Sequence, residues 1–214
     1  MEARSVTVPS RVDGRISINI IPGHFVTSHS HINYYIDLSK IKHRHDIARL
    51  AATALADHYI GKAAVDTIVC MEGTESICAY LAALLADNAG KTEGQSGEIS
   101  IVTPEYNTSG QMIFRDNLQR MIWGKKILLV LASVTTGKTV NRALECVRYY
   151  GGEVVEISAL FSAIPSLHDI PVSALFTHEE IPDYRTYALH ECPACREQKK
   201  IDAMVNSYGY SKVF

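Results

Sequence analysis

The sequence predicts an α/β domain built on a mostly parallel sheet, and three observations carry that reading. Short apolar runs alternate along the chain with segments whose apolar residues recur every three or four positions. The run Ile127-Leu-Leu-Val-Leu-Ala132 is apolar at every position, as a strand covered on both faces by helices must be. It then feeds a small hydroxyl- and glycine-rich turn, Ser133-Val-Thr-Thr-Gly-Lys-Thr139, which opens onto a helical pattern at Val140, Ala143, Leu144 and Val147. Strand, tight turn and helix N-terminus together aim backbone N–H groups and a helix dipole at one anion, so this turn is expected to hold a phosphate.

The elements follow in order. Residues 1–45 are irregular, with short alternating pieces such as Ile16-Ser-Ile-Asn-Ile20. Ile47, Leu50, Ala51, Ala54 and Leu55 share one helical face, and Asp46 is the expected N-cap. Residues 66–71 read as a buried strand. Gly73, Thr74, Glu75 and Ser76 form a turn, with Ser76 placed to cap a helix carrying Ile77, Leu81, Leu84 and Leu85. A polar loop over 91–98 leads to a strand at 99–103, and 104–117 shows no period and reads as a mobile loop. After the strand 126–132 and the helix 138–150, Gly151-Gly152 closes the helix. Strands are expected at 153–159 and 172–176. The tail from 184 to 214 is polar and aromatic-rich without a pattern. Three parts result: an N-terminal segment 1–45, a core 46–180 and a C-terminal tail 181–214. Ligands of such sheets bind beyond the carboxyl ends of the strands, so the turns at 73–76 and 133–139 should face one cleft.

Composition narrows the function. With 47% hydrophobic and 21% charged residues and a net charge of −2, the 214-residue chain lacks the basic surplus that non-specific nucleic-acid or anionic-membrane binding needs. No apolar run approaches the roughly 20 residues that span a bilayer. Residues 1–14 are polar, without the apolar stretch of a secretory signal, so a cytoplasmic location with reduced cysteines is expected.

Two readings of the phosphate turn arise. A nucleoside-triphosphate loop, G-x-x-x-x-G-K-[ST], matches residues 132–139 except that Ala132 replaces the first glycine. Its magnesium-binding acid would have to be Glu156, which lies inside a strand pattern rather than at its end. The other reading is a resemblance. Val134-Thr-Thr-Gly-Lys-Thr139 resembles the second half of the type I phosphoribosyltransferase signature, a hydrophobic strand followed by two acids, two small apolar residues and T-T-G-x-T. His24-Phe25 and Ser28-His-Ser-His-Ile-Asn-Tyr-Tyr-Ile-Asp37 resemble the N-terminal signature of orotate phosphoribosyltransferases. Gly124-Lys-Lys-Ile-Leu-Leu-Val130 and Tyr150-Gly-Gly-Glu-Val-Val155 are similar to that family on either side of the signature, and the element order is the same. The likeness spans roughly residues 20–165, and Cys192-Pro-Ala-Cys195 is similar to a C-P-x-C in the tail of some members.

The resemblance implies a type I phosphoribosyltransferase fold, a mostly parallel sheet flanked by helices under a small N-terminal hood, in a homodimer. It implies a phosphoribosyl or nucleotide ligand, transfer of phosphoribosyl from phosphoribosyl pyrophosphate to a base, and Mg2+ for that chemistry. Ser133, Val134, Thr135, Thr136, Gly137, Lys138 and Thr139 would hold the 5′-phosphate; Gly73, Thr74, Glu75 and Ser76 stand at the pyrophosphate turn; Tyr34 and Tyr35 are base-pocket candidates, although one of two adjacent strand residues should point inward and pack.

The sequence also departs from the family. The acidic pair falls on Leu131 and Ala132, the loop after residue 103 has no basic residue before Arg115, and Ser30 or His31 stands where a basic residue follows Ser28. These changes leave two functions open: a nucleotide-forming enzyme with a rebuilt substrate site, or a non-catalytic relative that senses a nucleotide or sugar phosphate or serves as a partner subunit. Cys192 and Cys195 supply half of a zinc site, with His190 or a dimer partner to complete it; a redox pair and two plain reduced thiols are the alternatives. His24, His29, His31, His43 and His45 are unusually dense, but none forms an i, i+4 helical pair with a carboxylate partner.

Overall fold

The computed structural model describes residues 1–213. The chain opens with β1 (Val6–Pro9), β2 (Ser17–Val26) and β3 (His31–Asp37), then α1 (Ser39–His43) and α2 (His45–Tyr59). Next come β4 (Thr67–Cys70), α3 (Glu75–Asp87) and β5 (Ser100–Val102). A hairpin of β6 (Glu105–Tyr106) and β7 (Met112–Ile113) and a single turn, α4 (Asp116–Gln119), precede β8 (Lys126–Val134), α5 (Lys138–Tyr149), β9 (Glu153–Ser162), β10 (Ser166–Leu167) and β11 (Ile170–Phe176). The tail forms β12 (Thr186–Tyr187), α6 (Pro193–Arg196), β13 (Ala203–Asn206) and β14 (Gly209–Lys212).

The core sheet runs β10-β11-β9-β8-β4-β5, and every pairing from β11 to β5 is parallel. β8 lies near its centre. Leu128, Val130 and Ala132 face the layer of α2 and α3, whereas Ile127, Leu129, Leu131 and Val134 face the layer holding Val140, Ala143 and Val147 of α5. This two-sided burial explains a run with no polar alternation. A second sheet, β12-β3-β2-β13-β14 with β1 on the other edge bond of β2, forms the hood. Its Ile16, Ile18 and Phe25 join the same apolar cluster as α2 and α3, so hood and core share one interior.

Several sequence expectations change here. Arg44, not Asp46, caps α2, and Asp46 sits in its first turn, where negative charge is favourable. Thr74, not Ser76, precedes α3, and its hydroxyl donates to Met71 O at 2.9 Å rather than to a helix amide. The patternless tail contributes three strands to the hood. Residues 104–117 are a hairpin and a helical turn, closed by an ion pair between Arg115 and Glu105 at 2.7 Å.

Gly151 does end α5 in the left-handed region, at φ 75°, with its N–H on Arg148 O at 3.0 Å. A Cβ there would stand 2.3 Å from Trp123 Cδ1. Gly151→Ala is therefore expected to cost on the order of 1–2 kcal/mol from backbone conformation. Thermal denaturation should show a midpoint lower by roughly 2–8 °C, and an unchanged midpoint would contradict the turn geometry.

Candidate functional site

β8 delivers its chain to the phosphate turn because its apolar residues are committed to both faces of the sheet. Gly137 breaks out at φ 74° and caps α5, and the first helical bond is Asn141 N–H to Gly137 O at 2.8 Å. Between them, the amides of Thr135, Thr136, Gly137, Lys138 and Thr139 reach no acceptor among the described residues. A twelve-residue helix thus begins with a row of unpaired donors, the arrangement that binds a phosphate.

All seven predicted turn residues line one cleft, together with the hood turn 27–30, Tyr34, Tyr35, Glu72, Phe161 and the tail residues 205–208. The two tyrosines divide their roles. Tyr35 is buried, tilted against Phe25 and edge-on to Tyr210, and burial pushes its phenol up to about 12. Tyr34 is only half-buried and leaves its ring to the cleft.

At the turn after β4 it is the preceding residue that reaches the cleft. Gly73, Thr74, Glu75 and Ser76 do not line the cleft; Glu75 and Ser76 are exposed, and Thr74 is buried with its hydroxyl engaged by Met71 O and Val130 O. The residue that reaches the cleft is Glu72, one position ahead of the expected turn. Glu72 has φ 61°, unusual for a residue with a side chain. One carboxylate oxygen faces Ser133 N–H at 3.5 Å. Burial raises its pKa, offset in part by the Ser133 N–H, Lys42 and the Ala132 N–H. Lys42 holds this turn against the tail: its ammonium donates to Glu72 O at 2.8 Å and Ser207 O at 2.7 Å, and lies 5.3 Å from the Tyr208 ring centre. Burial lowers the Lys42 pKa, opposed by Glu72, Glu75 and Asp37.

The two positions expected to carry acids are fully buried, Leu131 in one apolar layer and Ala132 in the other. Neither Glu105 nor Asp116 replaces them in the cleft: Glu105 is paired with Arg115, and Asp116 accepts from Gln119.

A second cluster lies at the opposite side of the hood hairpin. His24 Nε2 is 2.9 Å from His31 Nδ1 and 3.6 Å from the sulfurs of both Cys192 and Cys195; Cys195 Sγ is 3.3 Å from His31 Nδ1. His190, the expected third ligand, is instead exposed beside Glu191. Burial, then the neighbouring His24, lowers the His31 pKa. His29 lines the cleft, while His43 and His45 touch neither site.

Sheet order, hood and a glycine turn between the central strand and α5 define the type I phosphoribosyltransferase fold. Solved structures agree. UMP synthase of Leishmania donovani superposes with a TM-score of 0.54 at 19% identity, over 76% of this chain and 34% of that one. Orotate phosphoribosyltransferase of Aeropyrum pernix gives 0.51 at 16%, over 76% and 89%. In sequence the chain is orotate phosphoribosyltransferase-like: the Caldicellulosiruptor bescii protein of that name is 26% identical over 181 residues, 83% of this chain and 86% of its relative. No protein-family model matches the chain. Among the described residues, no helix is long and apolar enough to cross a membrane.

Proposed function

We propose that the cleft binds the 5′-phosphate and ribose of a phosphoribosyl compound of pyrimidine nucleotide metabolism. In this reading the chain transfers phosphoribosyl to a pyrimidine-type base, the reaction that the names of its relatives denote. The row of unpaired amides from Thr135 to Thr139 at the head of α5 is the observation that carries it. The phosphate accepts from these amides, and Lys138 adds a positive charge beside them. Glu72 takes the place of the missing acidic pair, accepting from ribose hydroxyls and stabilising positive charge that develops on the ring during transfer. Tyr34 lies against the base.

Magnesium fits this arrangement sparingly. The ion is usually held by one or two carboxylates plus substrate phosphate oxygens, and Glu72 is the one acid lining the cleft. When bound, it would neutralise the leaving pyrophosphate; the protein's own part is to orient the sugar and exclude water around it.

A second reading, binding without turnover, is supported by the buried Leu131 and Ala132 and by the hairpin 105–113, which carries no lysine or arginine. One experiment separates the two. The protein is incubated with phosphoribosyl pyrophosphate, Mg2+ and a panel of bases including orotate, and pyrophosphate release is followed. Base-dependent release is the expected result. Absence of release, with UMP still raising the thermal midpoint, would leave the binding reading standing and remove the enzyme.

A further inference from the structure

We propose that His24, His31, Cys192 and Cys195 form a structural zinc site that fastens the C-terminal tail to the hood hairpin. The donors are the set that zinc prefers, two imidazole nitrogens and two sulfurs, and their four ligand atoms lie within 4.8 Å of one another. A tetrahedral ion with Zn–N near 2.0–2.1 Å and Zn–S near 2.3 Å requires N···N of about 3.3 Å and N···S of about 3.6 Å. The structure has 2.9 Å between the nitrogens and 3.3–3.6 Å for three of the nitrogen–sulfur pairs, with every pair within 4.8 Å. Outward shifts of the two rings bring the short pairs toward these values.

The surroundings prepare these atoms for metal. His24 Nδ1 lies 3.0 Å from Lys199 O, so its N–H donates there and Nε2 turns a lone pair toward the cluster. His24 N–H donates to Asp202 at 2.9 Å, fixing the irregular stretch of β2 between Pro22 and Phe25 from which the ring projects. β12 pairs with β3 at His31 and Ile32, which brings the following residues to the hairpin. Cys192 then caps α6 and Cys195 follows within its single turn.

A thioredoxin-type exchange does not suit this pair. Cys192 is 2% exposed while Cys195 is exposed, but both sulfurs stand against histidine nitrogens and the pair opens a single four-residue turn instead of a full helix. Four protein donors also leave no open coordination position, so the site is structural rather than catalytic. Zinc takes the two cysteines as thiolates, so its uptake weakens as pH falls.

Placement gives the ion its role. The tail carries only short strands, and β13 meets β2 through two residue pairs, Ala203 with Phe25 and Met204 with Val26. The metal ligands His24 and His31 bracket the turn 27–30 that lines the cleft, and the tail residues 205–208, which continue from β13 beside β2, line it too. Zinc therefore holds these two lining segments in register. That consequence rests on the cleft reading above, whereas metal content does not.

The full chain, purified without chelator, should contain one zinc per molecule by elemental analysis. Cobalt added to metal-free protein should give a thiolate charge-transfer band and tetrahedral visible absorption. The double variant Cys192→Ser, Cys195→Ser should lose the zinc, His190→Ala should keep it, and chelation of the wild type should lower the thermal midpoint by at least ~5 °C. Wild type that takes up no zinc when reconstituted with ZnCl2, a cobalt spectrum without the thiolate band, or full zinc in the double variant would each overturn the site. So would a Cys192–Cys195 disulfide in the freshly purified protein. Because the cobalt spectrum is read on the wild type, misfolding of the serine variant cannot rescue the proposal. Zinc at one per chain with unchanged UMP affinity on chelation would retain the metal site and remove only its effect on the cleft.

Discussion

Gly137→Val is expected to abolish binding of nucleoside monophosphates and ribose 5-phosphate while the protein still folds. Gly137 holds φ 74°, a conformation that costs an L-residue about 1–2 kcal/mol, and valine's branched Cβ makes it harder still. The new Cβ would stand 3.0 Å from Leu167 Cδ1 and 3.3 Å from its Cδ2, with Ile164 Cδ1 behind at 3.7 Å. Leu167 belongs to the short strand β10, so some adjustment is open to it, but the turn itself must re-route. The amides of Thr135 to Thr139 then no longer converge. Each hydrogen bond to a charged oxygen contributes roughly 1.5–3 kcal/mol, so losing two weakens affinity by at least about 100-fold. Titration calorimetry with UMP checks this, and denaturation of the unliganded variant measures the folding cost separately. Thr136→Val removes one hydroxyl and no amide, so its loss should be nearer tenfold. Wild-type affinity in Gly137→Val would mean that phosphate binds elsewhere.

The glycine turn between β8 and α5 was legible because everything it needs is local. Continuous apolar residues, one glycine and a helical period adjoin within residues 126–147. Likewise the parallel sheet follows from apolar runs separated by helical patterns. The features that escaped are those made by distance. His24 and His31 meet Cys192 and Cys195 across 161 to 171 residues of chain, so spacing within the tail pointed to the adjacent His190 instead. The tail's strands are two to four residues long; β13 alternates buried and exposed, but four residues do not make a recognisable period. Glu72 was hidden for another reason. A carboxylate beside a glycine turn reads as solvated, and its left-handed backbone, which turns the side chain toward β8, has no signature in residue type.

Glu72→Gln tests whether that side chain has inherited the ribose. Its carboxylate faces the N–H of Ser133, one step beyond the Leu131-Ala132 pair that lost the family's acids. If it accepts from ribose hydroxyls, the variant should bind UMP about 10–100-fold more weakly, the equivalent of one charge-assisted bond at roughly 1.5–3 kcal/mol. The decisive comparison is with dUMP, which has no 2′-hydroxyl: wild type should prefer UMP, and the preference should collapse in the variant. Equal weakening toward both ligands would assign Glu72 to supporting the Ser133 backbone alone. Stability gives an independent check. Burial raises the Glu72 pKa above its ordinary 4.5, so the folded state holds this proton more tightly than the unfolded chain. The associated stability is complete below pH 4.5 and is lost as pH rises through the folded-state pKa. Glutamine cannot ionise, so the variant should gain on wild type as pH rises across that window and hold a constant difference beyond it. A difference flat from pH 4 to 8 would mean that the carboxylate is solvated, and a solvated Glu72 could not be the group that replaces the acidic pair.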